Sequence, residues 1–167
     1  MMWIRRESGF TILEIVVVLI VMSVITAFSI SRGLNPSTDL SIKTEVLKTH
    51  LRHAQSRALN STIPWGIRTN AAGDVYWLFR YEAPSVISVR LPGENNSTVS
   101  LASTGITISV GTYSFDSRGI PYYTTESGTP ADAGTSLSDL GVDQVITLLK
   151  SGVTQTITIT QSTGFIP

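Results

Sequence analysis

Residues Phe10 to Ile30 read FTILEIVVVLIVMSVITAFSI, 21 residues with a single charge, Glu14. Wound as a helix the run is roughly 31 Å long, about the thickness of a bilayer's hydrocarbon core. A helix buried in a soluble core is the competing reading, but here apolar residues cover every face rather than one stripe. A secretory signal peptide is the next rival. It needs a shorter run and a small-residue cleavage site, whereas this stretch continues into Arg32 without an A-x-A motif. Arg5 and Arg6 stand before the run, so the positive-inside tendency leaves residues 1–9 in the cytoplasm and sends the rest outward. The expectation is one span followed by an exported domain.

Glu14 then demands a reason, because a carboxylate at membrane depth costs about 2.5–3.5 kcal/mol or more unless it is paired. It either snorkels or is protonated near the interface, or it meets a cation. Nothing basic lies within the span, so the cation must come from another chain or from a newly made N-terminal amine.

The residues Arg5-Arg6-Glu7-Ser8-Gly9-Phe10-Thr11-Ile12-Leu13-Glu14 resemble the class III leader of type IV pilins and the related pseudopilins. The resemblance implies cleavage by a prepilin peptidase between Gly9 and Phe10, and N-methylation of Phe10. It makes Glu14 the fifth residue of the mature chain, neutralising the amine of a neighbouring subunit during assembly. That amine, placed at a helix start against the dipole, gains from the same contact.

Downstream, Gly33 and Pro36 signal a break, and Ser37, Thr38 or Asp39 can cap a new helix. Leu40, Leu47, Leu51, Ala54 and Ala58 follow helical spacing and predict one amphipathic helix up to Asn60. Beyond it the period becomes two. Residues 66–69 and 75–79 flank a hairpin turn; 86–91, 99–101, 106–110, 113–115 and 120–123 are further short strands. The clearest pair is 142–149 and 153–160 around Ser151-Gly152. The stretch 127–140, rich in Gly, Ser, Thr, Ala and Asp, reads as a loop. The fold class expected is therefore α+β: a long N-terminal helix, half transmembrane and half amphipathic, packed on an antiparallel sheet. The divisions are a leader at 1–9, a membrane or filament-core helix at 10–32, an amphipathic helix at 33–60 and an exported β-domain at 61–167.

Three further stretches sharpen the resemblance. LKTHLRHAQSRAL (47–59), SFDSRGIP (114–121) and TQSTGFI (160–166) resemble a helix end, a turn and a tail of the GspH/FimT subfamily of minor pseudopilins and minor pilins. The resemblance implies a pilin-like fold and a subunit of a type II secretion pseudopilus or a type IV pilus tip. Its partners would be other pilins through the N-terminal helix, the peptidase and methylase, an inner-membrane assembly platform, and the bilayer before assembly. The location implied is the bacterial inner membrane with a periplasmic β-domain, then the filament. Phe165 follows the terminal glycine where relatives often carry arginine, and no basic residue follows Lys150, so DNA binding gains little support. The alternative is a minor pilin that captures DNA or another ligand.

Composition limits the remaining chemistry. The chain of 167 residues carries no net charge, 14% charged residues and no cysteine, which excludes a disulfide framework, thiolate zinc and a cysteine nucleophile. Residues 31–60 hold five basic and two acidic side chains, +3; residues 61–167 hold five and eight, −3. His50 and His53 share a helix face but lack a third ligand or an H-E-x-x-H pattern. Asp116-Ser117 lacks a nucleophile elbow. Asp132, Asp139 and Asp143 match no EF-hand spacing. Trp65, Trp77, Tyr122 and Tyr123 suit either a stacking surface or sheet packing. There is no Walker A and no G-x-G-x-x-G, so no metal, no cofactor and no enzymatic activity are expected.

Overall fold

The computed structural model describes residues 11–33, 36–124, 135–136 and 142–167, with side chains at 11–26, 37–124 and 142–167. It forms two compact units, divided between Asn35 and Pro36.

The first unit holds α1, Ile12–Gly33, 22 residues. Thr11 precedes it, and the Glu14 amide donates to the Thr11 carbonyl at 3.0 Å and to its hydroxyl at 3.3 Å. That is one half of a T-x-x-E capping box, which satisfies an orphan amide at the helix start. Hydroxyls within the apolar run are satisfied locally: Ser23 donates to the Ile20 carbonyl at 2.7 Å and Thr26 to the Met22 carbonyl at 2.6 Å. Among the described residues no helix is long and apolar enough to cross a membrane. The described side chains of α1 stop at Thr26, whereas the apolar sequence runs to Ile30, so the span is argued from the sequence.

The second unit opens with α2, Pro36–Leu59. Proline occupies the first helical position, where no amide hydrogen is needed, so Ser37, Thr38 and Asp39 fall in the first turn rather than before it. Leu40, Leu47, Leu51, Ala54 and Ala58 are all buried, with Thr44 completing the stripe through a bond to the Leu40 carbonyl at 2.7 Å.

The strands are β1 Trp65–Thr69, β2 Val75–Glu82, β3 Ser85–Val89, β4 Val99–Ser100, β5 Thr107–Ile108, β6 Thr112–Phe115, β7 Pro121–Thr124, β8 Thr135–Ser136, β9 Gln144–Lys150 and β10 Val153–Ile159. One sheet runs β3-β2-β1-β6-β7-β8, with β4 also on β2; the other runs β10-β9-β5. Every pairing is antiparallel. The α2 stripe covers both sheets at once. Ile67, Tyr76, Leu78, Tyr113 and Phe115 come from the first, Ile146, Leu148, Ile157 and Ile159 from the second, in one core.

Both expected hairpins form. In the second, Ser151 (φ 49°) and Gly152 (φ 81°) make a two-residue turn with both angles positive, whose twist suits the flanking strands. Three expectations are corrected. β3 stops at Val89 because Pro92-Gly93 form a turn closed by the Glu94 amide on the Leu91 carbonyl at 3.2 Å, while Leu91 is buried off the strand. The strand read from 142 begins at Gln144, leaving Val142 exposed. Within the stretch read as a loop, Thr135 and Ser136 pair with Tyr123 and Tyr122, extending the larger sheet; the rest of 127–140 lies outside the described residues.

Candidate functional site

Of the residues singled out in the leader, Arg5, Arg6, Gly9 and Phe10 lie outside the described residues. Glu14 is described, on an exposed first turn of α1 beside Ile15, Val18 and Leu19. Its local role in the capping box places a carboxylate at the positive end of the helix dipole. The signal for that role was present in the sequence, as the T-x-x-E of Thr11 and Glu14.

The three downstream motifs, far apart in sequence, meet at the last turns of α2. Arg52 donates through Nε and Nη2 to the Ile166 carbonyl at 3.2 and 3.0 Å. Gln55 donates through Nε2 to the Gly119 carbonyl at 3.3 Å and the Thr163 carbonyl at 3.0 Å. One amide thus holds both the 116–121 turn and the tail against the helix. Gly164, at φ +64°, lies so close that a Cβ there would stand 2.5 Å from the Gly119 oxygen and 2.6 Å from Gln55 Nε2. Arg52 and Gln55 sit three apart on one helix face, and both fall within the stretch 47–59 already singled out in the sequence.

The other candidates do not assemble into sites. The Asp116 carboxylate is consumed by its own turn: Oδ1 accepts the Arg118 and Ile120 amides, both at 2.9 Å, and Oδ2 accepts the Arg118 guanidinium at 3.0 and 2.9 Å. Ser117 therefore has no base in Asp116. Asp143 accepts the Gln161 amide at 3.0 Å, while Asp132 and Asp139 lie outside the described residues. No three potential metal ligands gather among the described residues. Trp65 stands in register with Phe115, and Tyr123 with Tyr113, on one sheet face; Trp77 opposes Arg68 and Tyr122 opposes Ser114 on the other. The four aromatics do not share a stacking surface. Trp65 lies under the Arg57 guanidinium at 5.0 Å, and Tyr123 packs on Tyr113 with ring centres 5.5 Å apart.

His50 and His53 part company. His50 is 5% exposed, and its Nδ1 lies 3.0 Å from the Tyr76 hydroxyl. Burial pushes His50 below its ordinary value of 6.5 against the opposing pull of Glu94. His53 lies in a polar groove of about 570 Å³ with Arg57, Arg90 and Glu94; burial and then Arg57 lower its pKa.

No protein-family model matches the chain, and no curated protein sequence matches it. Among solved structures it is similar to the crystal structure of the type IV minor pilin FimU of Pseudomonas aeruginosa strain PAO1. The two are 15% identical, with a TM-score of 0.53, over 78% of this chain and 88% of that chain. At that identity the likeness speaks to architecture. The chain has an α+β fold of the type IV pilin kind, N-terminal helices with antiparallel β-sheet.

Proposed function

We propose that the chain is a minor subunit of a type IV pilus or a type II secretion pseudopilus, of the GspH/FimT kind, and a structural rather than catalytic protein. The observation that carries this reading is the conjunction of a pilin-like fold with the leader RRESGFTILE at 5–14, whose Gly9-Phe10 junction leads directly into α1. The chain is inserted in the inner membrane with residues 1–9 inside and α1 as its anchor. A prepilin peptidase cuts after Gly9, and Phe10 is methylated. Glu14 then offers its carboxylate to the amine of a neighbouring subunit as the apolar helices pack into a filament core, where they bury in one another the surface that lipid covered before. The β-domain contacts other tip subunits, or cargo if the filament serves secretion.

The test is the intact mass of the membrane-extracted chain after co-expression with a prepilin peptidase. The expected result is loss of residues 1–9 and gain of one methyl group. An uncut chain, under conditions that process a control pilin, refutes the reading.

A further inference from the structure

Three asparagines of the chain begin an Asn-x-Ser/Thr tripeptide in which x is not proline: Asn60-Ser61-Thr62, Asn95-Asn96-Ser97 and Asn96-Ser97-Thr98. That tripeptide is the acceptor pattern for N-linked glycans on exported domains. So short a pattern recurs by chance in a chain rich in serine and threonine, and the surroundings of each amide decide between them. At Asn60 the nitrogen is already employed. Its Nδ2 donates to the Ser56 carbonyl at 2.7 Å, satisfying an orphan carbonyl at the end of α2. Presenting that nitrogen to an enzyme would unmake the helix end.

The segment that joins β3 to β4 is built differently. One buried side chain ties it down at each end, Leu91 at 2% and Val99 at 5% exposure. Between them Asn95, Asn96, Ser97 and Thr98 are all exposed and lie outside helix and strand. Among the described residues, no hydrogen bond involves the side chain or the amide of any of the four. Glu94 stands two residues before Asn96 on the same loop. An acid at that place is what the bacterial form of the glycan transferase requires in addition to the tripeptide. The corresponding residue is Gly93 for Asn95 and Ala58 for Asn60, so Asn96 alone of the three meets the longer pattern.

We infer that Asn96 is the acceptor of an N-linked glycan, transferred by a bacterial-type oligosaccharyltransferase from a lipid-diphosphate-linked oligosaccharide. The inference rests on the proposed export of the β-domain, because such a glycan is attached outside the cytoplasm. In the transfer a bond forms between Asn96 Nδ2 and the anomeric carbon of the first sugar. The bond from that carbon to the lipid diphosphate breaks, the diphosphate leaves with the electron pair, and the amide gives up one proton to a base of the enzyme. Thr98 supplies the hydroxyl that the tripeptide needs two residues after the acceptor, and here that hydroxyl is exposed. Drawing residues 95–98 into an enzyme breaks no ladder bond, so the local cost of presenting them is low. A glycan added there projects into solvent and displaces no packed atoms.

The test is co-expression of the full chain, in a bacterium, with such a transferase and its lipid-linked oligosaccharide. A second acceptor peptide of the same pattern, appended after Pro167, serves as the internal control. Trypsin leaves Asn60 on the peptide 58–68 and both Asn95 and Asn96 on the peptide 91–118, so mass spectrometry reads the sites apart. The expected result is one glycan mass on 91–118, kept in Asn95→Gln and Thr98→Ser and lost in Asn96→Gln, Thr98→Ala and Glu94→Gln. Asn96→Gln and Thr98→Ala change exposed positions and are expected to leave the urea midpoint where it was, so their loss of glycan reports recognition rather than unfolding. A glycan on the appended peptide with 91–118 bare overturns the inference and leaves the export reading standing. A glycan on 58–68 instead, or one that persists in full in Glu94→Gln, overturns it as well. If the appended peptide and 91–118 are both bare, the export reading fails and takes the inference with it.

Discussion

Glu14 shows how one residue can answer two demands. In the isolated chain its amide is held by Thr11 and its carboxylate lies at the positive end of α1, an arrangement worth about 0.3–1 kcal/mol at an exposed site. In the proposed filament the same carboxylate meets a neighbour's amine. Two substitutions separate these roles. Glu14→Gln keeps a side chain able to serve in a capping box but removes the charge, whereas Glu14→Ala removes both. Both variants are expected to insert in the membrane at the normal level, and both are expected to drop out of sheared filaments. Normal incorporation of Glu14→Ala would sink the pairing argument, and loss confined to Ala would reassign Glu14 to helix capping.

At the scale of elements, the end of α2, the 116–121 turn and the tail act as one clasp. Their contacts are backbone carbonyls held by Arg52 and Gln55, so the geometry tolerates little added volume. Gly164→Ala forces a Cβ against the Gly119 oxygen and Gln55 at a positive φ, and is expected to cost about 2–4 kcal/mol. Gly152→Ala is the control: φ is +81° there too, but nothing lies within 4 Å, so only the backbone cost of about 1–2 kcal/mol remains. Urea unfolding of the two variants reads the difference. Equal losses would mean the clasp is looser than its distances imply. Stabilisation by the surface pair of Lys150 and Asp39, 2.7 Å apart, is small by comparison, under about 1 kcal/mol, because Asp39 stays largely in water.

Across the whole molecule, stability is linked to pH through His50. Its pKa in the folded chain lies below the unfolded value near 6.5, because burial disfavours the cation and Lys43 and His53 add to that, while Glu94 and the Pro92 carbonyl oppose it. The unfolded chain therefore binds the proton first. Folding stability is fully present above about pH 7 and declines as pH falls through 6.5, levelling off below the folded pKa. His53 is lowered in the same direction and contributes to the same slope. His50→Gln is expected to flatten the fall in urea-unfolding free energy between pH 7.5 and 5.5, leaving the part due to His53. An unchanged slope would show that His50 does not carry the linkage.

The α2 stripe was legible in the sequence because a helix buries one face at a fixed angular period, and Leu40, Leu47, Leu51, Ala54 and Ala58 keep that period. The terminal hairpin was legible for a similar reason, since Ser151-Gly152 between alternating residues leaves one local solution. The helix expected from the apolar run at 10–30 is present over its described part, Ile12–Gly33. What the sequence by itself could not determine was anything that depends on distance in space. The meeting of Gln55 with Gly119 and Thr163 joins residues 64 and 108 positions apart, and no local pattern encodes such a contact. The same holds for the division of strands between two sheets, and for the fate of Asp116, whose carboxylate is used up by its own turn. His50 and His53 share one helix face by spacing, yet tertiary packing put one beneath Pro92 and Tyr76 and the other in a polar groove. Periodicity reports which side of an element is buried; only packing decides what it is buried against.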